Sequence, residues 1–77
     1  MATSRLDARG RSCPIPIVQL RRAIDGVAAG DLVEVLADDA AFPADVTAWC
    51  KKLGHDLLSL ATLEGAYTAV VRKAGAT

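Results

Sequence analysis

The segment Arg9-Gly10-Arg11-Ser12-Cys13-Pro14-Ile15-Pro16 constrains this chain most, because two prolines follow a cysteine within three residues. Pro14 suits the first position of a helix, where its missing N–H is not needed and its fixed φ is already helical. Pro16 still falls in the first turn, so neither ring removes a bond that an interior residue would make. A helix is therefore predicted to open at Pro14, with Cys13 at or beside its N-cap. There the free backbone N–H groups and the positive end of the helix dipole face the sulfur, and Arg9 and Arg11 add positive charge. Each of these effects favours thiolate over thiol and so predicts a nucleophile. A buried, structural cysteine is the alternative. Against it stand Arg11, Ser12 and Pro14, which are not core residues and belong on an exposed loop.

The rest of the chain reads in order from this point. A first strand runs from about Thr3 to Ala8, and Gly10 turns the chain. The first helix extends from Pro14 to about Ala28, with Ile17, Leu20, Ile24 and Val27 on one face; Gly26 weakens its last turn and Gly30 is placed to cap it. Leu32 to Ala37 is a second strand, apolar on both faces apart from Glu34, and so central or covered by helices. After the loop Asp38-Asp39-Ala40-Ala41, a second helix begins near Pro43 and ends at Gly54. Its apolar stripe is Val46, Trp49, Cys50 and Leu53, which makes Cys50 a core residue. Asp56 to Leu63 and Ala66 to Lys73 form two strands joined at Glu64-Gly65, a hairpin. Ala74 to Thr77 is expected to fray. The order β-α-β-α-β-β, with parallel pairing across right-handed crossovers, predicts a two-layer α/β (α+β) sandwich. Its four-stranded mixed sheet carries two helices on one face.

Composition narrows the function classes. Seventy-seven residues give one domain, residues 1–77. Net charge is zero and the only aromatics are Phe42, Trp49 and Tyr67, which argues against direct binding of nucleic acid by charge or stacking. Charge is unevenly spread: five arginines up to Arg22 face Asp7 alone, and six acidic residues from Asp25 to Asp45 have no base among them. Arg21 and Arg22 on the first helix are candidates for docking acidic partners, although a solvated helix face explains them too. Two cysteines and one histidine, His55, form no close cluster, so no metal site is expected. His55 reads as a surface residue at the start of the third strand rather than a base for Cys13. Neither an apolar leader nor a run of membrane-spanning length is seen, so a cytoplasmic, reducing location without membrane contact is expected.

The pattern Leu6-Asp7-x-x-Gly10-x-x-Cys13-Pro14-x-Pro16 resembles the signature of the TusA/SirA-like sulfur-carrier family, and the resemblance covers nearly the whole chain. It extends to Ala37-Asp38-Asp39 after the second strand and to Trp49-Cys50 in the second helix. The family implies a protein whose motif cysteine, here Cys13, accepts sulfane sulfur as a persulfide and hands it on. Asp7, Arg9, Gly10, Arg11, Ser12, Pro14 and Pro16 are read as supporting that cysteine's loop. The implied partners are a donor, either a cysteine desulfurase or a rhodanese-like protein, and a sulfur-acceptor protein in tRNA thiolation, sulfur oxidation or molybdenum-cofactor maturation. No cofactor is implied beyond the covalent sulfur itself, and the chain would act with partner enzymes rather than alone. An edge strand could pair, but the small surface and mixed charges make a monomer the default expectation. Two alternatives belong to other classes: a thiol redox switch pairing Cys13 with Cys50, or a non-catalytic regulatory interaction domain.

Overall fold

The structure, a computed structural model, describes residues 3–75. Six elements follow the predicted order: β1 (Thr3–Asp7), α1 (Ile15–Asp25), β2 (Leu32–Ala37), α2 (Phe42–Leu53), β3 (Asp56–Leu63) and β4 (Ala66–Arg72). The sheet order is β1-β2-β4-β3, with β1 parallel to β2 and the other two pairings antiparallel. Parallel pairing across a crossover therefore holds for β1-α1-β2 only. The chain leaving α2 passes over to the far edge, and the hairpin returns β4 into the gap beside β2. The hairpin turn has positive φ at both Glu64 (52°) and Gly65 (79°), as a two-residue type I′ connection requires.

Alternation along β2 assigns the faces. Val33, Val35 and Ala37 point at the helices and are buried, while Leu32, Glu34 and Leu36 are half-buried on the open side. Leu20 and Ile24 of α1, with Phe42, Val46 and Cys50 of α2, close the core from above, and Ala69 and Val71 of β4 complete its floor. The α2 stripe therefore includes Phe42 and excludes Leu53, which is 48% exposed in the last turn. Residues 42, 46 and 50 repeat every four positions and lie above the sheet, whereas Leu53 is one turn further on, at the margin.

Boundaries moved for local reasons. Pro14 is the N-cap rather than the first helical residue; the helix starts at Ile15 and Pro16 lies in the first turn, buried. Helix α1 stops at Asp25 because Gly26 already caps it, and Gly30, at φ 89°, turns the chain into β2 instead. The C-terminal segment does not fray at Ala74, whose amide donates to Nδ1 of His55 at 2.9 Å; the remainder of the expected tail, 76–77, lies outside the described residues. His55 is accordingly a half-buried structural residue that also packs on Trp49, ring centroids 5.1 Å apart. No helix among the described residues is long and apolar enough to cross a membrane.

Candidate functional site

Parallel β1 and β2 end side by side, with Asp7 opposite Leu36, so the loops that leave them start at the same edge of the sheet. Each loop feeds a helix on the same face. The N-termini of α1 and α2 consequently open at one end of the molecule, outside the carboxyl ends of the strands. Cys13 lies just before α1 at this end.

Its loop is braced at several points. The Ala8 amide donates to the Leu36 carbonyl at 2.7 Å, extending the β1–β2 ladder by one bond, and the buried Ala8 anchors the loop's start. Arg9 folds back on Asp7: its Nε reaches Oδ1 at 2.9 Å, its Nη2 reaches Oδ2 at 2.7 Å and its own amide donates to Oδ1 at 3.1 Å. Arg9's side-chain hydrogen bonds lead in holding the Asp7 carboxyl down to about 2, with the amide bond second. Gly10, at φ 79°, supplies the left-handed turn, and its amide donates to Asp38 Oδ1 at 2.9 Å. The Ser12 carbonyl then accepts from the Ile15 amide at 2.9 Å, and the Pro14 carbonyl from the Val18 amide at 3.0 Å, starting α1. Asp7, Arg9, Gly10, Ser12, Pro14 and Pro16 are thus assembled around the cysteine's loop. Arg11 is exposed on it.

The electrostatics at the sulfur reverse the sequence expectation. Cys13 is exposed, and its Sγ lies 2.7 Å from Oδ2 of Asp45, in the first turn of α2. The hydrogen bond to Asp45, partial desolvation, and the charges of Asp45 and then Asp39 push the thiol above its ordinary range. Arg9 does not offset this, because its guanidinium is committed to Asp7. The resting state is therefore a thiol that donates to a carboxylate, not a standing thiolate beneath a helix dipole. Asp45, Asp38 and Asp39 were not among the residues sequence reasoning placed at the site. The topology carried the signal for Asp45: two helices starting at one sheet edge bring the first turn of the second beside the residue preceding the first.

Other candidates lie elsewhere. Cys50 is 2% exposed within the core, and burial pushes its thiol up to about 11. Arg22 is exposed in the last turn of α1. Arg21 lines an open groove of about 410 Å³ with Ile24, Asp25, Trp49, Lys52, Leu53 and His55, toward the C-terminal ends of both helices and away from Cys13. No group of three or more metal-ligating side chains occurs among the described residues.

Residues 4–73 match the family model described as sulfurtransferase TusA. The chain belongs to the TusA family. A protein of Neisseria meningitidis serogroup A named "Putative sulfur carrier protein" is 38% identical over 72 residues, covering 94% of this chain and 97% of its own. YrkI of Bacillus subtilis, named in the same words, is 47% identical over 53 residues, covering 69% and 71%. The crystal structure of a SirA-like protein from Desulfitobacterium hafniense superposes with a TM-score of 0.78 at 24% identity, covering 96% of this chain and 99% of that one. That likeness bears on the fold.

Proposed function

We propose that this protein is a sulfur carrier that takes sulfane sulfur as a persulfide on Cys13 and passes it to a partner protein. One observation carries the reading: the cysteine of the Cys-Pro-x-Pro pattern is the chain's exposed thiol, held on a braced loop at one end of the molecule. The Cys13 sulfur attacks the terminal sulfur of a donor persulfide, the donor's S–S bond breaks, and the donor cysteine leaves as a thiolate. Delivery repeats the step in the other direction, with an acceptor nucleophile taking the outer sulfur from Cys13. No net oxidation occurs in either half. Exposure serves both halves, because the sulfur must reach two different proteins. The donor is a cysteine desulfurase or a rhodanese-like protein, and the setting is a reducing compartment in which both cysteines stay free. Burial of Cys50 in α2 speaks against a Cys13–Cys50 redox pair.

The test is to incubate the reduced protein with a cysteine desulfurase and cysteine, or with a rhodanese and thiosulfate, and to read intact and peptide masses. One added, reductant-labile sulfur on Cys13 is expected. It should be lost in Cys13→Ser and kept in Cys50→Ala. A free, alkylatable Cys13 that takes no sulfur from either donor overturns the reading.

A further inference from the structure

We propose that Asp45 is the proton-holding partner of Cys13: its carboxylate keeps the resting sulfur as a hydrogen-bonded thiol and accepts that proton when a donor persulfide is attacked. This deepens the carrier reading and, for its transfer step, rests on it. The geometry is direct, with Sγ 2.7 Å from Oδ2 across a sequence separation of 32 residues. Asp45 makes no ion pair among the described residues that would occupy its carboxylate instead. It stands in the first turn of α2, where its Oδ2 faces the sulfur. A carboxylate oxygen within hydrogen-bond reach of a thiol is placed to accept its proton.

The groups around the sulfur are few. Asp45 faces it from α2 and Asp39 acts on it from the β2–α2 loop; Arg11 lies on its own loop, and Arg9 is tied to Asp7. A carboxylate is a far weaker base than a thiolate, so with nothing to attack the proton stays on sulfur. The nucleophile is thereby muted toward stray electrophiles and oxidants. Attack on a donor persulfide changes the balance, because proton loss is then coupled to S–S cleavage. The Sγ–H bond breaks and its proton goes to Oδ2. The electron pair of Sγ forms the bond to the donor's terminal sulfur, and the donor thiolate that leaves takes the proton back from Asp45. One sulfur atom moves and one proton changes places, with no electron lost.

Two readouts separate this role from a merely structural one. The first is the pH profile of iodoacetamide alkylation at Cys13, followed by peptide mass. In Asp45→Asn the midpoint should move to lower pH and alkylation near pH 7 should accelerate several-fold. The second is sulfur transfer from a persulfidated donor protein, which in the same variant should slow, by on the order of 10²-fold for a lost proton acceptor. Asp45→Glu, which keeps the carboxylate, should stay nearer the wild type in both. Opposite movement of the two rates is the signature. An unchanged alkylation midpoint overturns the proposal, as does transfer that accelerates with alkylation, or a Glu variant that behaves like Asn. If Asp45→Asn fails to fold, the wild type alone decides. Its folded alkylation midpoint must lie above that of the urea-unfolded chain, and a midpoint at or below it overturns the proposal. Wild-type Cys13 that accepts no sulfur defeats the carrier reading instead, while the alkylation profile still decides the Asp45 bond.

Discussion

The Gly10 amide donates to the Asp38 carboxylate at 2.9 Å, joining two loops 28 residues apart at the end of the sheet where Cys13 stands. The bond ties the cysteine's loop to the β2–α2 loop that leads to Asp45. Hydrogen bonds to a charged acceptor contribute about 1.5–3 kcal/mol when shielded, and exposure puts this one below that range, on the order of 1 kcal/mol. Asp38→Ala is therefore expected to cost little in stability but to loosen the placement of Cys13. Sulfur loading should fall several-fold while the urea midpoint moves only slightly. Asp38→Asn retains an acceptor oxygen and should load at close to the wild-type rate. Equal loading by the alanine variant would show that the cross-loop bond does not position the thiol.

Phe42 opens α2 and is 1% exposed, the largest of the fully buried side chains. At the usual roughly 0.05–0.15 kcal/mol per residue, a chain of 77 residues holds on the order of 4–12 kcal/mol in all. Truncating a buried phenylalanine costs about 3–5 kcal/mol through lost transfer energy and the cavity left behind. Phe42→Ala should consequently remove much of the margin, with a large drop in Tm or loss of a cooperative urea transition. Phe42→Leu preserves most of the volume and should cost less than half as much. A small effect of the alanine variant would mean that the core repacks around α2's first turn.

How far the sequence was readable follows from which signals are local. Leu32–Ala37 was bounded to the residue, because Gly30 and the Asp38-Asp39 pair punctuate a β-branched and leucine-rich run. The hairpin was readable from Glu64-Gly65 alone. Phe42 was missed as core because it borders Pro43 and a loop, and burial there depends on how the helix enters over the sheet. The charge state of Cys13 was misjudged for two separate reasons. Arg9's charge is taken up by Asp7 only two residues away, a pairing within reach of sequence reasoning. Asp45's approach depends on the parallel β1–β2 pair, so it becomes visible only once the topology is drawn.

Cys50 gives a prediction on the alkaline side. Its thiol is pushed up to about 11 by burial first and the charge of Asp56 second. In the unfolded chain the same thiol ionises in the ordinary range, at lower pH. A raised folded value means the stability contribution is fully present below the unfolded pKa and is lost as pH rises toward about 11. Stability measured by urea unfolding under reducing conditions should therefore decline across that alkaline window. Cys50→Ala removes the titrating group at a cost on the order of 1 kcal/mol in packing, and should flatten this part of the decline. An identical alkaline slope in the variant would assign the loss to other groups.

The acid side belongs to Asp7. Arg9 gives its carboxylate three hydrogen bonds, two from the guanidinium and one from the backbone, and these hold its pKa near 2. A depressed folded value has the opposite sign to that of Cys50: the contribution is present above the unfolded carboxylate range, near pH 4, and is lost as pH falls through about 2. Because the pair is exposed, its larger effect is on the shape of the Cys13 loop rather than on global stability. The Asp7 carboxyl carbon, followed by NMR, should titrate near pH 2 in the wild type. In Arg9→Gln it should move up toward the ordinary carboxylate range. The amide resonances of Gly10 and Ser12, on the same loop, should follow the Asp7 midpoint in the wild type and lose that dependence in the variant. Amides that shift with a midpoint different from Asp7's would show that the Asp7–Arg9 lock does not shape the segment leading to Cys13.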